Sequence, residues 1–244
     1  MTLPGSCAVV GAGRLGRALV AALPGVGGPF GRGFDGVGYD IVVLAVPDAE
    51  IAAAGATIKL GPLVGHCSGA TGLDVLAPHE SFSLHPLMTV AHEGATFAGA
   101  GGAVAGTTAR ALRTARVLAE MLGLDTVQIN DADRAAYHAA ASIAANFLIT
   151  LEDAAETLLR SAGVGREILV PLVRAAVENW AASGTDALTG PIARGDEATV
   201  SLQREAVAER TPELLELFDT LAARTRVLVR RAKWPGSERS RNRS

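Results

Sequence analysis

His138, Ser142 and Asn146 recur at intervals of four along a stretch otherwise built of Ala, Ile, Phe and Leu, with Tyr137 beside the first of them. On a helix this spacing lines three polar groups along one face. A polar stripe on an apolar helix needs partners or a wet cleft. Two readings stand. The stripe is hydrogen-bonded and turned to solvent or another helix, since Asp131, Asp133 and Arg134 charge its first turn, or it is a catalytic face. In the second reading His138 relays a proton while Ser142 and Asn146 position a reacting oxygen. Imidazole titrates near neutrality and can give a proton to a developing alkoxide or take one away.

Two other stretches carry groups of the same kind. Ser81-Phe82-Ser83-Leu84-His85-Pro86-Leu87-Met88-Thr89 holds His85 in the extended backbone that a following proline imposes. His66-Cys67-Ser68-Gly69-Ala70-Thr71-Gly72 offers the hydroxyls of Ser68 and Thr71. Both read as strand-to-loop transitions on one sheet edge, so they can converge on a cleft. His85 reads as a proton carrier or a structural group, and His66 as structural. Further on, Arg194 in Thr189-Gly190-Pro191-Ile192-Ala193-Arg194-Gly195-Asp196 could clamp a substrate carboxylate through both nitrogens. Asp196 reads as a local partner that caps the helix expected from about Ala198.

Such groups need a scaffold, and the N-terminus supplies its clearest element. Cys7-Ala8-Val9-Val10 runs as an apolar strand into Gly11-Ala12-Gly13-Arg14-Leu15-Gly16, followed by a helix-compatible run to Leu23. In this Gly-x-Gly-x-x-Gly pattern, Gly11 makes the tight turn, Gly13 lets the backbone approach a pyrophosphate, and Gly16 allows close packing of helix on strand. The helix aims its free N–H groups and the positive end of its dipole at that anion. Asp40-Ile41-Val42-Val43-Leu44-Ala45-Val46 is a second, continuous strand of the kind covered on both faces. Its end, Ala45-Val46-Pro47, should line the same cleft, with Asp48 capping the next helix.

Further strands are expected at Leu63 to Cys67, Phe82 to His85, Gly102 to Ala105 and Thr126 to Ile129, with a helix from Thr108 to Leu122. Strands alternating with helices imply a mostly parallel sheet. One segment resists that pattern. Residues 24–38 hold seven glycines and two prolines, so the second strand should be very short or absent. Its end normally carries an acid for a ribose 2′-hydroxyl or an arginine for a 2′-phosphate. Asp35 lies at about the right distance from Gly11 with Arg32 close by, and each reads equally as a solvated loop charge.

From Asp131 the texture changes to long Ala/Leu-rich helices: Asp131 to Ser161, Arg166 to Ala182, Ala198 to Glu209 and Pro212 to Ala232. The expected fold class is therefore an α/β Rossmann-like N-terminal domain over residues 1–130, with a reduced second strand, plus an all-α domain over 131–232. Residues 233–244 read as a disordered basic tail. From Arg230 onward there are six basic side chains and one acidic, so sixteen basic stand against twenty-four acidic in the remainder. An acidic body disfavours nucleic acid as a partner. No apolar run has membrane-spanning length and no secretory leader is legible, so a cytoplasmic protein is expected. Cys7 and Cys67 read as reduced thiols, and no Cys/His spacing suggests a metal.

Taken together, several segments resemble a known family. They are the Gly11/Gly13/Gly16 loop, Ala45-Val46-Pro47-Asp48, His66-Cys67-Ser68-Gly69, Leu84-His85-Pro86-Leu87, Tyr137-His138 with Ser142 and Asn146, and Leu188-Thr189-Gly190-Pro191-Ile192-Ala193-Arg194-Gly195-Asp196. The chain is similar to bacterial Rossmann-like proteins with a C-terminal helical domain of unknown function 2520. More distantly, it resembles the 6-phosphogluconate dehydrogenase-like superfamily of ketopantoate, pyrroline-5-carboxylate and prephenate-type reductases and dehydrogenases. The resemblance implies NADP, ahead of NAD, at Gly11 to Gly16, Arg32 and Ala45 to Pro47, and a homodimer through the helical domain. It also implies hydride transfer to or from a small carboxylate-bearing carbonyl, imine or alcohol, with a ketopantoate-like 2-oxo acid first. Where those relatives place a Lys and an Asn one turn apart, this chain has His138 and Ser142. In that reading Ser68, His85 and Arg194 complete the substrate pocket. A non-catalytic nucleotide sensor and a deazaflavin-dependent reductase are the alternatives.

Overall fold

The computed structural model describes residues 3–90 and 96–232. Seven strands form one sheet: β1 (Cys7–Val10), β2 (Gly27–Phe30), β3 (Ile41–Leu44), β4 (Leu63–His66), β5 (Ser81–Leu87), β6 (Gly101–Gly106) and β7 (Asp125–Gln128). Their order is β2-β1-β3-β4-β5-β6-β7, and every neighbouring pair is parallel except β5 with β6. β1, β3 and β4 are buried at every position, which accounts for the unbroken apolar sequence of β1 and β3.

Alternate residues of these strands feed two cores. Cys7, Val9, Ile41 and Val43 face α1 (Arg14–Ala22) and α3 (Ala109–Leu122), packing on Leu19, Ala115 and Leu118. Val10, Val42, Leu44 and Val64 face the other way and pack with Ile51 of α2 (Ile51–Thr57) and with Ile58. Helix α3 begins where the Thr108 side chain accepts a hydrogen bond from the Ala111 amide at 3.1 Å and ends at Gly123, whose φ of +72° favours glycine. Cys7 and Cys67 are buried free thiols, each pushed up to about 12 by burial.

The doubtful second strand exists, four residues long. β2 pairs with β1 through Ala8 opposite Gly27 and Val10 opposite Phe30, and the Gly11 amide donates to the Phe30 carbonyl at 2.8 Å. Backbone bonding to one neighbour suffices for an edge strand, and an edge tolerates Pro29. The glycine-rich loop beyond it is held by aromatics: Phe30 stacks on Phe34 with ring centroids 4.1 Å apart, and Tyr39 packs edge-on at 5.7 Å from Phe30.

Two features depart from the sequence pattern. The contacts cluster into compact units that divide after Asn146, whereas the composition changes near Asn130. The reason is α4 (Arg134–Ala144), whose first residue is keyed to the sheet. Arg134 is only 2% exposed; its Nη2 donates to Ser83 Oγ of β5 at 2.7 Å and its Nε to Asp131 Oδ1 at 2.5 Å. The single helix expected from Asp131 to Ser161 is likewise two helices. Ala145 leaves helical geometry at φ −115° and ψ −62°, and α5 (Asn146–Arg160) starts anew. Neither proline nor glycine announces the break, although Asn146 is of a type that competes for local backbone hydrogen bonds.

The second unit holds α5 from Phe147, then α6 (Leu169–Ser183), α7 (Pro191–Arg194), α8 (Glu197–Arg210) and α9 (Leu215–Ala232). Two ion pairs tie α8 to α9: Arg204 to Asp219 at 2.8 and 2.9 Å, and Arg226 to Glu197 at 3.1 and 2.6 Å. As expected, Asp196 caps α8, accepting from the Thr199 amide at 3.1 Å and its hydroxyl at 2.7 Å. Those bonds hold its carboxyl below the usual range. Arg194 is exposed at the end of α7. The basic tail expected at 233–244 lies outside the described residues. Among the described residues, no helix is long and apolar enough to cross a membrane.

Candidate active site

The turn after β1 assigns each of its glycines a separate constraint. At Gly11, φ is +112° and a Cβ would stand 2.3 Å from the Ala45 carbonyl oxygen. At Gly16, a Cβ would come within 1.8 Å of the Gly11 carbonyl oxygen, so the helix packs on the turn with no room for a methyl group. Gly13 differs. A Cβ there meets nothing within 4 Å, so this residue borders open space. It is also the N-cap of α1, with no side chain bonded over the helix end and no acid in the first turn. The amides of the first turn, at Arg14 and Leu15, therefore lack intrahelical acceptors and carry the positive end of the dipole. The Arg17 Nε fastens the turn from behind by donating to the Ala12 carbonyl at 2.9 Å.

Around this turn lies a cleft of about 770 Å³, bordered by Gly11 to Gly13, by Ala45, Val46 and Pro47 beyond β3, by Ala53, Ala54 and Thr57 of α2, and by Gly31, Arg32 and Glu50. Its shape and its bare amides fit a dinucleotide diphosphate. Of the two candidates for reading the ribose, the structure places Arg32 on the cleft, 91% exposed, with its Nη2 3.2 Å from Glu50 Oε1. Asp35 is committed elsewhere. It pairs with Lys59 at 2.9 Å and accepts from the Val37 amide, bonds that lower its carboxyl pKa.

A loop after β4 links this cleft to the histidines. Ser68 Oγ donates to Asp48 Oδ2 at 2.7 Å, accepts from the amides of Ala70 (3.2 Å) and Thr71 (2.9 Å), and lies 3.0 Å from Thr71 Oγ1. With its donor and lone pairs so engaged, Ser68 holds the loop in place and does not line the pocket beside His138. Asp48 likewise braces Ser68 and makes no side-chain cap of the helical turn it begins. His66 is buried as expected of a structural residue. Its Nδ1 accepts from the Ser68 amide at 3.2 Å, its Nε2 lies 3.4 Å from the Gly72 carbonyl, and burial pushes its pKa down to about 4.

The loop delivers Gly69 against both candidate catalytic imidazoles. A Cβ there would lie 2.8 Å from His85 Cε1 and 3.0 Å from His138 Cδ2. His85 and His138 stand with ring centroids 6.1 Å apart, and Tyr137 Oη is 2.9 Å from His85 Nδ1. They border a second cavity of about 530 Å³, walled by Pro86, Leu87, Met88, Ala141, Ala144 and Ala145, with Thr89, Ser142 and Asn146 as further polar groups. The i, i+4, i+8 set thus shares one pocket although the helix breaks before its last member. Burial, then the neighbouring His138 and Arg134, push the His85 pKa down to about 4. His85 is accordingly a neutral imidazole at physiological pH.

Sequence reasoning passed over Arg134 as an ordinary first-turn charge. The signal was its position: a cation at a helix N-terminus opposes the dipole, and such a residue needs another reason to be there. Among the described residues that line the second cavity, none is Lys, Arg, Asp or Glu. Among the described residues generally, no group of three or more His, Cys, Asp or Glu side chains is placed to hold a metal.

Comparison with solved structures gives the same architecture. Protein TM1727 from Thermotoga maritima superposes with a TM-score of 0.80 at 22% identity, over 93% of this chain and all of that one. A Bacteroides fragilis protein, provisionally named an NADP oxidoreductase, matches with a TM-score of 0.74 at 16% identity, over 91% of this chain and 98% of that one. A reductive aminase from Aspergillus terreus, solved with NADPH and ethyl-5-oxohexanoate, matches at 0.67 and 16%, over 90% of this chain and 93% of that one. At these identities the likeness establishes the fold. No curated protein matches the chain significantly. The family model described as a domain of unknown function, DUF2520, matches residues 101–225, half of the chain, from β6 into α9. The chain belongs to the DUF2520 family, on a Rossmann-like sheet with a helical C-terminal region.

Proposed function

We propose that this protein is a nicotinamide-dependent oxidoreductase that prefers the 2′-phosphorylated cofactor and acts on a small carbonyl, imine or alcohol bearing a carboxylate. The observation that carries the reading is the open face at Gly13, where a glycine that needs no special φ and meets no neighbour borders bare helix-end amides. The bound nicotinamide would supply or accept the hydride. The chain's residues do the rest. His138 gives a proton to the reduced heteroatom, or takes one in the reverse direction. Ser142 and Asn146 hold that heteroatom by hydrogen bonds, and Ser68 keeps the Gly69 loop against the imidazoles. Arg194, exposed at the end of α7, is the candidate for holding the carboxylate through both nitrogens. The NADP and NADPH in the names of structural neighbours support the cofactor class.

The test is a thermal shift followed by turnover. A ligand at a hundred times its Kd stabilises the folded state by about 2.7 kcal/mol, which for a chain of this size raises Tm by roughly 5–10 °C. NADPH is expected to do so at lower concentration than NADH. Arg32→Ala should weaken NADPH roughly tenfold while leaving NADH nearly unchanged. The reading fails if neither dinucleotide shifts Tm, and a shift by deazaflavin alone would replace the cofactor. A sensor role would show as tight binding with no oxidation or reduction across 2-oxo acids, imines and matching alcohols.

We also propose a homodimer through the helical unit. Helix α6 has no buried residue, and Leu172 and Trp180 on it are 66% and 64% exposed. Apolar side chains in such numbers mark a surface that is covered by a partner. Sedimentation equilibrium should give twice the chain mass, and Trp180→Glu with Leu172→Glu should return a monomer. A wild-type monomer at micromolar concentration overturns this.

A further inference from the structure

We propose that Tyr137 is a positioning residue: its phenolic hydroxyl donates to His85 Nδ1 and fixes that imidazole as the Nε2–H tautomer, so that His85 offers the pocket a donor and not an acceptor. The hydroxyl lies 2.9 Å from Nδ1, with the rings edge to face at 85° and centroids 5.6 Å apart. A neutral imidazole has one donor nitrogen and one acceptor nitrogen, and its partners decide which is which. Between a phenol and a neutral imidazole, the phenol is the better proton donor and the ring nitrogen the better acceptor, so the bond runs from Oη to Nδ1.

Three features of the surroundings hold both partners in the required state. Burial raises the Tyr137 pKa, which keeps its proton on the oxygen. His85 stays neutral because burial, His138 and Arg134 all oppose its charge, against a weaker pull from Asp48. Gly69 also crowds the ring, so close that a Cβ there would stand 2.8 Å from Cε1 and 3.0 Å from Nδ1. Gly69 is itself held by the adjacent Ser68–Asp48 bond.

His85 Nε2 has no hydrogen-bond partner among the described residues, and His85 lines the cavity that His138, Ser142 and Asn146 share. A fixed Nε2–H there can bind the oxygen or nitrogen on which negative charge develops, while His138 carries the proton. This division of labour rests on the oxidoreductase reading. The tautomer does not.

The experiment therefore reads the tautomer directly. In the full-length protein labelled with 15N-histidine, long-range 1H–15N spectra at pH 7 should show His85, assigned through His85→Gln, with an unprotonated Nδ1 and a protonated Nε2. Tyr137→Phe, which keeps the ring and removes only the hydroxyl, should move both nitrogens toward averaged values while Tm stays within a few degrees. If Nδ1 carries the proton in the wild type, or if Tyr137→Phe leaves both nitrogens unmoved, the proposal is overturned. If the substrate panel gives turnover, the same variant should lower kcat roughly tenfold with little change in KM. Absence of dinucleotide binding would remove the oxidoreductase reading and leave the tautomer result standing.

Discussion

Replacing His138 by glutamine is expected to lower kcat by about 10²–10⁴-fold, the usual contribution of a positioned acid or base. Glutamine keeps the length and hydrogen-bonding capacity of the side chain and removes only its ability to titrate. His138 sits one turn before Ser142 on α4 and borders the shared cavity. Its neighbour His85 is pushed down to about 4 and cannot stand in as an acid at neutral pH. Dinucleotide-induced stabilisation should persist, because the glycine turn is untouched. A kcat within threefold of wild type would remove His138 from the chemistry.

The second large effect separates folding from binding within a single turn. Gly13→Val places its side chain in open space at a φ of −72°, which any residue adopts, so Tm should change by no more than about 2 °C. The same side chain stands where a diphosphate must approach the amides, and affinity for NADPH should fall at least a hundredfold by calorimetric titration. Gly16→Ala should do the reverse damage. Its Cβ would lie 1.8 Å from a backbone oxygen, so α1 must shift off the sheet and Tm should drop by well over 5 °C. Retention of NADPH affinity by Gly13→Val would show that the turn does not hold the cofactor.

What could be read from the sequence follows from where the information sits. The strands and the glycine turn were legible because each is specified locally: Ile41 to Leu44 by unbroken burial, Thr108 and Gly123 by caps, and Gly11 and Gly16 by geometry that other residues cannot meet. The expected fold class holds, including the short edge strand. Composition changes at Asn130, where helices begin, whereas the compact unit of the sheet runs on to Asn146 and includes Arg134, which reaches Ser83 across fifty-one residues. The break at Ala145 was invisible because an alanine run carries no stop signal.

Within the site, the side chains that share the second cavity, His85, His138, Ser142 and Asn146, were named from residue type and spacing. Their roles were harder to read. Nothing local says that Ser68 has spent its hydroxyl on Asp48 and two amides, or that Tyr137 reaches His85. The choice between Arg32 and Asp35 also required knowing that Lys59 claims the carboxylate.

The edge strand β2 is attached to its neighbour by main-chain bonds, and the aromatic stack of Phe30 on Phe34 secures the loop independently of Arg32. Nothing in that attachment depends on what residue 32 is. On the proposed reading of Arg32, selection can therefore exchange this one side chain, and with it the redox currency, without rebuilding the sheet that carries it.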